Sequence, residues 1–210
     1  MKKYFVFLSL IGLFLGGCLG RKEVFYKYYL VEFPTVRDST LSKNYTNSKF
    51  SCEILPVEIH PAYSSTRIAV RMNSHELDYF AYHRWAVRPA ELFVLTAENY
   101  LRESHLFASV STQIRRRLPE FQVKIKIQQL EAIQQDKKFS AHLNLELQLL
   151  ETTSGEILIT EKSNSIQPLP ENDLNLFAST ISQIYLHTLN RFAEKISSYF
   201  QSTSSQKSLQ

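Results

Sequence analysis

The chain has 210 residues, 44% hydrophobic and 21% charged, an ordinary globular composition with room for one domain and a sizeable core. It carries five glycines, of which Gly12, Gly16, Gly17 and Gly20 lie in or beside an N-terminal leader; with Gly155 alone left for the folded part, glycine-rich phosphate loops are improbable. The formal charge of +4 drops to about +2 without Lys2 and Lys3, so nothing suggests nucleic acid as a partner.

Met1-Lys2-Lys3 is a positive n-region, and Tyr4 to Leu15 is an apolar h-region of signal-peptide length, too short for a membrane span. It ends at Leu15-Gly16-Gly17-Cys18, which resembles a bacterial lipobox. The expected processing is cleavage just before Cys18, whose thiol carries diacylglycerol, and two or more acyl chains at roughly 0.8 kcal/mol per buried CH₂ make a lasting anchor. Leu19, in place of the Asp that retains enteric lipoproteins at the inner membrane, points to the outer membrane. The expected organisation is a signal peptide over 1–17, a lipidated tether over 18–27, one domain over 28–201 and a disordered polar tail over 202–210. With Cys18 given to lipid, Cys52 has no intramolecular partner and is expected to be a buried free thiol.

Tyr28 to Val31 reads as the first strand and Thr35 to Lys49 as a polar loop; Asn44-Tyr45-Thr46 fits a glycosylation sequon of little weight in such a chain. Phe50 to Ile59 reads as a strand in which Pro56 implies an edge or a bulge. A turn over His60–Ser65 leads to a strand at Arg67–Met72, with Ile68, Val70 and Met72 on one face, and then to a short strand at Glu76–Ala81. Pro89 opens a helix, because its missing N–H costs nothing in a first turn, and Phe93, Ala97, Tyr100 and Leu101 give its stripe up to about Ser104. Ser109–Ser111 is a candidate short strand.

Phe121, Val123, Ile125 and Ile127 then alternate with polar residues, and Phe139 to Leu149 alternate again with His142, Asn144, Glu146 and Gln148 opposite. Thr153-Ser154-Gly155 is a hairpin turn into a strand over Ile157–Ser163, which Pro168 and Pro170 close. Asn172 or Asp173 caps a long amphipathic helix whose stripe runs from Leu174 through Phe177, Ile181, Ile184, Tyr185, Thr188, Phe192 and Ile196 to Tyr199. The expected fold is α+β: an antiparallel sheet packed by two principal helices.

No catalytic motif emerges. None of the six histidines has metal-ligand spacing, there is no Gly-x-Ser-x-Gly elbow, and neither a cofactor nor a metal is expected. His142 and His187 read as surface or core-edge residues, and Arg115-Arg116-Arg117 as a solvated turn or an acidic-partner contact. The richest stretch is Asp78–Glu91, with the single Trp, two Tyr, a His and two Arg. Tyr79, Tyr82, His83, Arg84, Trp85 and Arg88 are candidate partner-binding residues, since aromatic and Arg side chains give rigid area with polar ends. The same residues could wedge a strand against a helix, and both readings stay open.

Three features carry a resemblance: the lipobox at Cys18, Pro61-x-Tyr63 followed by Arg67-Ile68-x-Val70-Arg71, and Glu76-Leu77-x-Tyr79-Phe80-Ala81-Tyr82-His83-Arg84-Trp85-Ala86-x-Arg88-Pro89. This pattern resembles the ABC-type transport auxiliary lipoproteins, which include the PqiC-like proteins. The resemblance implies a non-enzymatic, periplasm-facing outer-membrane subunit. Its partners would be an MCE-domain protein and an ABC permease and ATPase that move lipids or other hydrophobic compounds, and some relatives assemble into homo-oligomeric rings. A direct lipid carrier, with an acyl chain under the long helix, is the alternative.

Overall fold

The computed structural model describes residues 24–32, 49–113 and 118–207. The leader, Cys18, the loop at 35–48 with its sequon, and Arg115–Arg117 lie outside these residues. Nine strands form one sheet: β1 (Lys27–Tyr29), β2 (Ser51–Ile54), β3 (Glu58–Ile59), β4 (Arg67–Asn73), β5 (Glu76–Trp85), β6 (Ser109–Ser111), β7 (Phe121–Gln135), β8 (Lys138–Glu151) and β9 (Ile157–Pro168). Two α-helices accompany it, α1 (Pro89–Glu103) and α2 (Leu174–Lys207). The α+β class expected from the pattern is what the structure has.

The sheet is mixed, not antiparallel. β7 is its spine. Along one edge it pairs antiparallel with β8, which pairs antiparallel with β9. Along the other edge it receives β2, β3 and β4 end to end, all parallel. β4 extends outward through β5 to β1, and β2 through β6. Side-chain alternation reports which face a residue takes and nothing about strand direction, so the parallel half left no mark in the pattern. Pro56, which has no N–H to donate, falls in the break between β2 and β3, and so divides what reads as a single strand.

Two local devices shape the spine. Gln128 is an extra residue between the Ile127–Leu145 and Gln129–Asn144 pairs. Beyond that bulge the inward positions shift from odd to even, so Leu130 and Ala132 continue the core and Glu131 turns to the opposite face. The β7–β8 hairpin closes on Asp136 and Lys137, with φ of 49° and 62°. Two positive-φ residues match the right-handed twist of the strands.

The inner face of β7 and β8, including Val123, Ile125, Leu143, Leu145, Leu147 and Leu149, is closed by the helices. α1 starts at Pro89 and ends with His105 in left-handed backbone (φ 53°), the position glycine usually fills. α2 starts at Asp173, whose carboxylate accepts the Asn175 N–H at 2.7 Å. Its stripe of Phe177, Ile181, Tyr185, Thr188, Phe192 and Ile196 is wholly buried, and the Tyr185 hydroxyl donates to the Phe93 carbonyl, tying α2 to α1. On the far side, Arg191 and Lys195 each reach Glu161 of β9 at 2.7 Å. The helix continues to Lys207, past the point where a polar tail was expected. The Ser202 and Thr203 hydroxyls donate back to the Tyr199 carbonyl within this last stretch.

Other expectations shift in smaller ways. β5 runs ten residues to Trp85 rather than stopping at Ala81, so most of the aromatic segment is strand. Met72, expected beside Ile68 and Val70, is exposed near the end of β4. Cys52 is buried as expected, and burial pushes its thiol pKa well up, away from reactivity.

Candidate functional site

The aromatic segment lies next to the edge of the sheet, because β5 is covered on its outer side only by the three residues of β1. The two strands are parallel, with Lys27 beside His83, Tyr28 beside Arg84 and Tyr29 beside Trp85. This register sorts the side chains. On the helix side, Trp85 is 1% exposed and its ring meets Phe177 at 5.8 Å between centroids. Tyr29 stacks on His83, with its hydroxyl 2.8 Å from the His83 Nδ1. Burial, then the neighbouring Lys27 and Arg84 charges, hold the His83 pKa below its usual value, against an opposing pull from Asp173. Phe80 bridges from His83 to Phe139 of β8.

The remaining candidates point elsewhere. Arg84 lies over the Tyr26 ring at 5.0 Å and donates to the carbonyls of Phe80 and His83. Tyr79 is covered by the Arg67 guanidinium and donates to the Ala62 carbonyl. Tyr82 is 56% exposed and Arg88 is exposed just before α1. Of the six candidate partner residues, then, Trp85 is a core residue: its indole is spent on Phe177 and is not available to a partner. His83 and Tyr79 are half-buried in structural contacts, Arg84 is half-buried with its guanidinium over Tyr26, and Tyr82 and Arg88 are the openly presented pair.

The sequence reading found the strand that frames this segment but began it at Tyr28 and gave the residues before it to a tether. Phe25 is 80% exposed and Tyr28 63% exposed, and Val24, Tyr26 and Leu30 are exposed with them. A groove of about 450 Å³ runs between β1 and α2, lined by Tyr28, Leu30, Ala178, Ser182 and Leu186 among others. The signal was present as the aromatic run Phe25-Tyr26-Lys27-Tyr28-Tyr29, which was divided between the tether and the first strand.

A second cluster escaped the sequence altogether. On the sheet face away from the helices, Glu131 is fully buried and receives three groups, Arg71 of β4, Tyr63 of the β3–β4 connection and His142 of β8. Arg71 binds both its oxygens, Nε to Oε1 at 2.7 Å and Nη2 to Oε2 at 2.8 Å. The Tyr63 hydroxyl donates to Oε2 at 2.6 Å, and His142 Nδ1 lies 3.2 Å from Oε1. His142 Nε2 faces Asn164 Oδ1 at 2.9 Å. Burial alone would raise the Glu131 pKa; the hydrogen bonds from His142, Arg71 and Tyr63 outweigh it and hold the carboxyl at about 2. His142 is pushed up despite its burial, because both ring nitrogens face acceptors, while burial and then the Glu131 contact lift Tyr63 to about 12. The chemistry is that of a strand clamp, a charge held rigid by saturated donors. No group of three or more His, Cys, Asp or Glu that could hold a metal occurs among the described residues.

The fold matches that of known structures. Protein XCC0632 from Xanthomonas campestris is 15% identical, with a TM-score of 0.63 over 88% of this chain and 99% of that one. An uncharacterised protein matches with a TM-score of 0.61 at 7% identity, over 82% of this chain and 99% of that one. Hypothetical protein CT253 from Chlamydia trachomatis reaches 0.50 at 11% identity, over 72% of this chain and 98% of that one. Comparison with curated proteins gives no match. The profile of the ABC-type transport auxiliary lipoprotein component family matches residues 29–196, and the chain belongs to that family. It is an auxiliary component of an ABC-type transport system, in a family of membrane-anchored lipoproteins.

Proposed function

We propose that this chain is a non-enzymatic docking subunit, held at the outer membrane through Cys18 and facing the periplasm. It would receive an MCE-domain protein of an ABC system that moves lipids or other hydrophobic compounds. The family assignment over residues 29–196 carries the reading. The exposed Tyr82 and Arg88 beside the half-buried Arg84 support it, since they are the part of the aromatic segment left over after packing. Assembly into a ring is part of the same proposal. The carrier alternative gains no support: the aliphatic face of β8 that would hold an acyl chain is core beneath α2.

Pull-down of the acylated chain from detergent-solubilised membranes is the test. Recovery of an MCE protein, lost in a Tyr82→Ala/Arg88→Ala double variant of normal stability, is the expected outcome. Repeated recovery without one, in cells that express it, would overturn the reading.

A further inference from the structure

We infer that the N-terminal edge strand is a membrane-contact element, with Val24, Phe25, Tyr26, Tyr28 and Leu30 resting in the lipid headgroup layer. This rests on the proposed acylation of Cys18 and adds a second, non-covalent contact to it.

Five of the seven residues from Val24 to Leu30 are exposed and apolar or aromatic, the densest such run among the described residues. Only five residues, 19–23, separate it from Cys18. Fully extended, that tether spans about 20 Å, so an acylated Cys18 keeps the run within reach of the bilayer surface at all times. Across residues 19–30 the charged side chains are Arg21, Lys22 and Lys27 against Glu23, a balance that suits anionic headgroups.

Main-chain geometry sets the depth. The Ala86 N–H donates to the Tyr29 carbonyl at 2.8 Å, so Tyr29 turns its peptide groups toward β5. Those of Tyr28 and Leu30 therefore point outward, away from the sheet. Hydrocarbon cannot satisfy them, whereas water and headgroups can. An edge strand of this kind therefore stops at the interface, the layer where tyrosine is enriched because one end of its ring is apolar and the other wet. No helix among the described residues is long and apolar enough to cross a membrane.

The experiment uses the acylated full-length chain reconstituted into vesicles of phosphatidylethanolamine and phosphatidylglycerol. Tyr28→Cys and, separately, Phe25→Cys carry an environment-sensitive fluorophore; Ser154→Cys, in the turn at the opposite end of β8, is the control. Cys52 is buried and does not label in the folded protein. Mass spectrometry of the N-terminal peptide reports on Cys18 in the same sample. The expected result is a blue shift at positions 25 and 28, with quenching by lipids that bear a nitroxide near the headgroup, and neither effect at 154. An acylated Cys18 with water-like emission at both positions overturns the inference and leaves the anchor standing. A blue shift that lipid nitroxides do not quench also overturns it, and assigns the strand to a second copy of the chain. An unacylated Cys18 in chain isolated from its own membranes defeats the anchor reading separately; quenching at 25 and 28 would then still support a direct contact.

Discussion

Arg71 and Glu131 sit on neighbouring parallel strands and meet as a two-pronged pair, guanidinium Nε and Nη2 each on one carboxylate oxygen at 2.7 and 2.8 Å. The pair joins β4 to β7, and through β4 it fixes the position of β5 and β1. The proposed partner surface is thus hung on a buried charge some distance from it.

Removing that charge strands its partner. Glu131→Ala should cost about 3–5 kcal/mol, because Arg71 and His142 remain while their shared acceptor is gone. Urea denaturation followed by far-UV circular dichroism measures it. A loss below about 1 kcal/mol would mean that water replaces the carboxylate without penalty.

Acid should weaken the domain through the same group. With its folded pKa lowered to about 2, Glu131 contributes stability above the ordinary glutamate pKa and loses it as pH falls from there toward 2. The size is about 3 kcal/mol, read from the shift. His142 has the opposite sign: its raised pKa contributes stability that is complete below the ordinary histidine value and fades as pH rises through the folded value. Melting temperatures across pH should fall on both sides. Glu131→Gln should flatten the acid limb, and His142→Gln the neutral-to-alkaline one.

Trp85 and Tyr82 are three residues apart in β5 and should behave as opposites. Trp85→Ala empties a core site against Phe177 and should cost about 3–5 kcal/mol. Tyr82→Ala should change stability by no more than about 0.5 kcal/mol and instead weaken partner capture. Thermal melts paired with pull-down separate the two.

Cys52 should be silent in the folded chain. A thiol reagent at neutral pH should label it only as fast as the domain opens, and labelling should become rapid in denaturant. Immediate modification under native conditions would contradict its place between β6 and β7.

Cys18→Ser should move the protein from the membrane fraction to the soluble one, even if the edge strand retains some affinity for lipid. Cell fractionation and immunoblotting decide this, and unchanged membrane recovery would contradict the anchor.

Both helices, their starts at Pro89 and Asp173 and nearly all of the buried stripe could be read from the sequence, because spacing and caps are local signals. Strand faces were nearly as legible up to Ile127, with Met72 the exception. At Gln128 the pattern breaks: one inserted residue reverses the facing of the rest of β7, and nothing in the surrounding Gln128-Gln129 announces a bulge. His142 was rightly set opposite the aliphatic face of β8 but read as a surface or core-edge residue, and its partner Glu131, which unbroken alternation would turn inward, was not singled out. The aromatic segment was found, but its division was not. Which of its rings goes inward depends on the parallel register with β1, a partner more than fifty residues earlier in the chain. Trp85 was drawn into the candidate surface for the same reason.

The arrangement around β7 also dictates an order of assembly. β3 and the inner edges of β2 and β4 have no strand to pair with until Phe121–Gln135 has been made, and parallel joins of this kind close large loops before any reward arrives. Apart from the β4–β5 hairpin and the short joins of β1 to β5 and β2 to β6, the strands before β7 must wait for it. For a chain proposed to cross one membrane as a thread before acquiring its lipid, that delay keeps it threadable, and it makes residues 27–73 the stretch that a holding chaperone would need to guard.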